Sequence, residues 1–208
     1  MALVKYNNNS ISAVTSAASI PSGALVPIKT LTASSSATLS FVDGSGGVVL
    51  DSTYPIYVFK FINIHPATDG ADLTFNGSTD GGSNYNTTKT TTTFYGYHNE
   101  GDSAAALSYE PGHDIAQGTG YCQIGGDALG ADNDQSCSGT MFIFSPSSTT
   151  FVKHFIVNMN TLTDANYSVN EYTAGYMNTT SAVDAVDFKM TSGNIDAGKI
   201  KLYGIKDS

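Results

Sequence analysis

Apolar and polar residues alternate along most of this chain with a period of two, the repeat of a strand that points successive side chains to opposite faces. Leu39 and Phe41 alternate with polar neighbours. So do Leu73 and Phe75, then Tyr172, Ala174 and Tyr176, then Val186, Phe188 and Met190. Near the C-terminus Ile200 and Leu202 face one way, and Lys199 and Lys201 the other. Residues 56–64 are apolar on both faces over most of their length, which predicts a central strand. Residues 141–144 and 151–159 add two more strands, and a Thr-rich strand over 87–95 ends in Phe94 and Tyr95. Turn chemistry separates these runs at Asp80-Gly81-Gly82-Ser83-Asn84 and at Ser145-Pro146-Ser147-Ser148. No segment carries a 3.6-residue stripe. About eight to ten short strands between turn signals predict an all-β protein, an antiparallel β-sandwich over residues 37–208.

Two segments depart from the alternation. Residues 1–36 are rich in Ser, Ala and Asn, with Pro21 and Pro27, yet too apolar for a plain disordered tail. They read as an extended N-terminal arm that lies against its own sandwich or against a neighbour. Leu3, Val4, Tyr6, Ile11 and Val14 are its docking positions. Residues 96–138 are Gly-rich with little periodicity and predict long surface loops, where binding residues concentrate.

Composition narrows the possible partners. Charged residues are 13% of the 208, about half the usual share, so Ser, Thr, Asn and Gly supply the polar surface. Low charge suits a subunit covered by copies of itself, because burying charge is costly. Net charge is −9, and all nine basic residues are Lys. Nucleic-acid binding is not expected without a basic patch or an Arg fork. Membrane insertion is not expected either, since no apolar stretch approaches the roughly 18 residues that span a bilayer. The first residues lack the apolar run of a secretory signal.

Candidate chemistry is sparse. Tyr97, His98, Tyr109, His113 and Tyr121 fall in the loop-rich region and form a candidate contact surface. Tyr beside Asn and Asp stacks on sugars or anchors protein contacts, the second use being the commoner. The His spacings match no zinc or hydrolase motif, so no catalytic residue and no cofactor are assigned. Asp127, Asp132 and Asp134 are a weak Ca²⁺ candidate that lacks the alternating carboxylates and closing Glu of a calcium loop. Cys122 and Cys137 enclose fourteen residues. If their strands pair, they form a disulfide that stabilises by roughly 3 kcal/mol. Otherwise they are two buried thiols.

The run Ser52-Thr53-Tyr54 with residues 57–66, the opening Met1-Ala2-Leu3-Val4-Lys5-Tyr6, residues 147–154 and the terminal Gly198-Lys199-Ile200-Lys201-Leu202-Tyr203 together resemble small structural proteins of marine tailed phages, especially those of cyanobacteria. The resemblance covers most of the chain and carries over no catalytic residue. It implies a jelly-roll-like virion component made in the host cytoplasm and carried on the particle surface. The expected function is that of a non-enzymatic tail fibre, appendage or head decoration subunit. Its arm docks on other virion proteins, and its sandwich forms a homo-oligomer, a trimer being favoured. The alternative is a sandwich module that binds host surface glycans.

Overall fold

The computed structural model describes residues 24–207. Within them the chain forms twelve strands and no helix. In order these are β1 (Leu25–Thr32), β2 (Leu39–Val42), β3 (Ile56–Pro66), β4 (Leu73–Ser78), β5 (Lys89–Asn99), β6 (Ala105–Tyr109), β7 (Cys122–Gly125), β8 (Cys137–Phe144), β9 (Lys153–Leu162), β10 (Tyr167–Met177), β11 (Ala185–Met190) and β12 (Ile195–Ile205). They make an eight-stranded sheet, β1-β12-β3-β8-β9-β10-β5-β6, and a four-stranded sheet, β2-β11-β4-β7. Every strand pairing is antiparallel. The expected all-β sandwich is what forms.

Chain order alternates between the sheets. β1, β3, β8 and β12 lie in the large sheet, and β2, β4, β7 and β11 in the small one. Each step along those eight strands crosses from one sheet to the other except β4 to β7, which stays within the small sheet. Two hairpins, β5–β6 and β9–β10, interrupt the alternation and add four strands to one side of the large sheet.

The core lies between the sheets and is aromatic at its centre. Phe188 on β11 meets Phe59 and Phe61 on β3 edge-on, each at 5.2 Å between ring centroids. Phe41 on β2 packs against Phe59, and Phe75 on β4 packs against Phe155 on β9 at 4.8 Å. These rings alternate with outward residues, so burying one face fixes strand register. β4 and β11 are buried on both faces, because the segments before β5 and before β7 fold over the outside of the small sheet. There Asn76 donates to the carbonyls of Tyr85 and Thr119.

Two boundaries move from the sequence reading. Residues 25–32, expected in the arm, are the edge strand β1 paired with β12, so the sandwich begins earlier than residue 37. Its alternation is weak because an edge strand has no deeply buried face. Leu3, Val4, Tyr6, Ile11 and Val14 lie outside the described residues. The region 96–138 holds more strand than expected: the end of β5, all of β6 and β7, and the start of β8. Phe188→Ala is expected to cost about 3–5 kcal/mol, because it empties the ring shared by both sheets. Equilibrium urea denaturation measures it, and a loss under about 1 kcal/mol would contradict this account of the core.

Candidate functional site

The added hairpins give the large sheet two surfaces with no counterpart in the small sheet. Alternation decides which side chains reach each one.

The inner surface is polar. Lys89, Thr91, Thr93, Tyr95 and Tyr97 point inward from β5, and Val169, Glu171, Thr173 and Met177 from β10. The β6–β7 connection covers this face and supplies His113. Glu171 is 1% exposed. His113 Nδ1 lies 3.6 Å from Glu171 Oε2. The Thr173 hydroxyl donates to Glu171 Oε1 at 3.3 Å and shares a 3.1 Å bond with Thr93. Burial works against a charged His113, but the adjacent Glu171 carboxylate, with Glu110 and Asp72, holds its pKa above the usual histidine value. Nearby, Asp72 Oδ1 accepts from the backbone amides of Asp127 and Ala128. Burial raises the Asp72 pKa despite those amides.

Two lysines are fully buried at the other end of this surface. Lys89 and Lys153 flank Met177 in register. Lys89 Nζ donates to Asn76 Oδ1 at 2.5 Å and to the Thr87 carbonyl at 2.7 Å. Lys153 Nζ donates to the carbonyls of Phe151 and Thr179, both at 3.0 Å. Neutral acceptors do not offset the loss of water, so burial lowers the Lys89 pKa to about 8 and also lowers that of Lys153.

Beyond Glu171 the inner face opens into a cleft of about 350 Å³. Its floor is Tyr95, Tyr97, Tyr167 and Val169, and its rim is Asp127 with the turn Thr163-Asp164-Ala165. Ring centroids are 6.0 Å apart for Tyr95 and Tyr97, and 5.6 Å apart for Tyr97 and Tyr167. Antiparallel register brings Tyr167 opposite Asn99, diagonal to Tyr97. Asp127 and Ala128 are consecutive non-Gly residues at φ 80° and 66°. That backbone costs on the order of 1–3 kcal/mol per residue, and the bonds to Asp72 maintain it.

The outer surface is apolar and aromatic. One row runs Tyr109–Phe94–Tyr172–Asn158–Thr140–Lys60 across six strands. Phe94 and Tyr172 stack at 5.2 Å with 9° between their planes. Leu107 is 78% exposed, Ile156 49%, Phe94 46% and Tyr172 42%. Thr90, Thr92, His154, Ile156, Ala174 and Tyr176 surround a groove of about 400 Å³ over Gly175. Among the described residues, the outward positions of β5, β6, β8, β9 and β10 hold no Asp, Glu or Lys.

The five loop residues singled out from sequence do not share one surface. Tyr97 lies in the cleft. Tyr109 is on the outer face and its hydroxyl bonds Asp114. His98 also faces outward and bonds Asp102 at 3.0 Å. His113 faces inward on Glu171. Tyr121 is on the outside of the small sheet, donating to Asp187 Oδ2 at 2.8 Å, with Lys189 Nζ 4.0 Å from its ring centroid. Sequence reading missed Tyr167, Asp164 and Glu171. The Tyr95-x-Tyr97 spacing signals a shared face, but nothing local joins it to residues 163–171.

Cys122 and Cys137 are free and buried. Their strands do not pair: β7 pairs with β4, whereas β8 pairs with β3 and β9. The disulfide geometry required adjacent strands, so this alternative is corrected to two thiols, each pushed by burial to about 12. Asp127 sits on the cleft rim, while Asp132 and Asp134 belong to a turn closed by Gln135. Among the described residues no three His, Cys, Asp or Glu side chains converge as a metal site. Comparison of the chain with protein-family models, curated proteins and solved structures gave no match.

The buried ionisable groups predict opposite pH dependences. His113 has a raised folded pKa, so its contribution is complete below the unfolded value near 6.5 and is lost as pH rises through the folded value. The urea midpoint is expected to fall as pH rises above about 6.5, and that fall to disappear in Glu171→Gln. Lys89 has a depressed folded pKa, so above about 8 the unfolded chain binds the extra proton and this group's contribution to stability rises with pH, by on the order of 2 kcal/mol from about pH 8 to 10. The two buried thiols, raised to about 12, oppose it by losing stability over the same range. Lys89→Met should therefore make the alkaline slope of stability more negative than in the wild-type chain, and an unchanged slope would refute the assignment.

Proposed function

We propose that this chain is a non-enzymatic structural subunit of a tailed-phage particle, assembling with copies of itself through the outer face of the eight-stranded sheet. The observation that carries the reading is that face: broad, aromatic and free of Asp, Glu and Lys on five neighbouring strands. A chain of net charge −9 repels its copies on the whole. A second copy meets little repulsion on this face, which among the described residues carries no carboxylate on those five strands and exposes Leu107, Ile156, Phe94 and Tyr172. The groove beside Ile156 gives a facing side chain a place to insert.

Strand order supports a particle role by analogy. The pattern β1-β12-β3-β8 opposite β2-β11-β4-β7 supports a jelly-roll reading, with the two hairpins as elaborations. That architecture recurs in capsid and lectin domains, so it narrows the class without assigning the site. The non-enzymatic part of the reading rests on the scattered histidines. His65 bonds the Gln135 carbonyl, His98 and His154 face outward, and His113 is committed to Glu171. The placement as tail appendage or head decoration, and the trimer, stay within this proposal.

Sedimentation tests the assembly. The wild-type chain is expected as an oligomer, and Ile156→Asp as a folded monomer. A monomeric wild-type chain at high micromolar concentration would remove the basis of the reading. For particle placement, antiserum against the recombinant chain should label gradient-purified particles of the encoding phage. Signal confined to the soluble lysate would argue against it.

A further inference from the structure

The cleft at the uncovered end of the inner face is distinct from the outer assembly face. We propose that it is a binding site for an uncharged saccharide, recognised through a single pyranose ring. The proposal does not depend on self-assembly, because the two surfaces lie on opposite sides of the large sheet.

Three features of the cleft converge on this ligand. The first is size: about 350 Å³ lies at the small end of ligand pockets, which suits one or two sugar rings and not a folded partner. The second is the floor. Tyr95, Tyr97 and Tyr167 give contiguous ring surface with neighbouring centroids 6.0 and 5.6 Å apart. The C–H face of a pyranose packs against such rings, which retain phenolic hydroxyls for polar contacts. The third is the rim. The side chains of Asp127 and Asp164 make no hydrogen bond among the described residues. An ionised carboxylate only accepts, and vicinal sugar hydroxyls donate to its two oxygens together.

The same rim decides which sugars are admitted. Asp127 and Asp164 stand at the opening, Glu110 acts electrostatically on Tyr95, and the chain as a whole is acidic. Uronic acids, sialic acids and phosphorylated sugars would meet like charge there. The strained Asp127–Ala128 backbone, held by Asp72, fixes one rim carboxylate before any ligand arrives. Such preorganisation lowers the ordering cost of binding.

Saturation-transfer NMR and calorimetry on the full chain test this, with the methyl glycosides of α-glucose, β-galactose and α-mannose as probes and tetralysine as a cationic competitor. At least one glycoside is expected to receive saturation on its ring C–H protons. Its affinity should fall about tenfold or more in Tyr97→Ala and in Asp164→Asn, and stay unchanged in Tyr172→Ala on the outer face. Asp164 is exposed, so its variant keeps the test decisive if Tyr97→Ala does not fold. The proposal is overturned if none of the three glycosides binds at millimolar concentration, if binding survives Asp164→Asn, or if tetralysine displaces the glycoside and binds more tightly. Loss of self-association in Ile156→Asp with glycoside binding retained would separate the two surfaces experimentally.

Discussion

Eight strands face four, and most of what is distinctive in this molecule follows from that mismatch. Over β1, β12, β3 and β8 the small sheet closes the core, and Phe188 ties the layers together from its centre. The small sheet still reaches β9, where Phe75 meets Phe155, but over most of β10, β5 and β6 there is no matching strand layer. Their inner face still has to be shielded from water, and the β6–β7 connection covers part of it. A connecting segment brings backbone carbonyls, amides and polar side chains with it, so the face below it cannot be purely apolar.

That is why the interior changes character across one sheet. Beneath the paired region lie Phe, Ile, Leu and Met. Beneath the covering connection lie Thr91, Thr93, Glu171 and Thr173, with Lys89 and Lys153 at one end and three tyrosines at the other. The lysines donate to the backbone carbonyls of Thr87, Phe151 and Thr179. His113 Nδ1 faces the buried Glu171 carboxylate at 3.6 Å. The cleft is what remains where the cover ends. The outer face of the same strands is left wide and uncharged, a combination that keeps repulsion between acidic copies to a minimum.

Much of the fold was legible in sequence because burial on one face writes a period of two into the chain. β2, β4, β11 and β12 each carry that record in pairs such as Leu39/Phe41 and Ile200/Leu202. β1 and β6 do not, since neither has a fully buried position. In β6 Ala105, Ala106 and Leu107 are all exposed, leaving no contrast to read. β7 has only four residues, one of them Gly. The site was less legible still. Tyr97 stood out as a loop tyrosine, but Tyr167 and Asp164 become its neighbours only through the β5–β10 register, some seventy residues apart in the chain. Nothing in the local sequence marks Lys89 and Lys153 as interior, the less usual place for an ammonium, yet both lie inside.

The sequence alone determined the β class, the antiparallel sandwich, the acidic and Arg-free surface and the aromatic residues of the core, because these depend on local periodicity and composition. Tertiary structure decided which strands enlarge one sheet, that Cys122 and Cys137 remain apart, and which tyrosines and carboxylates meet. Those outcomes depend on pairing between distant strands, and long-range register is set by the closure of the whole core and not by any one segment.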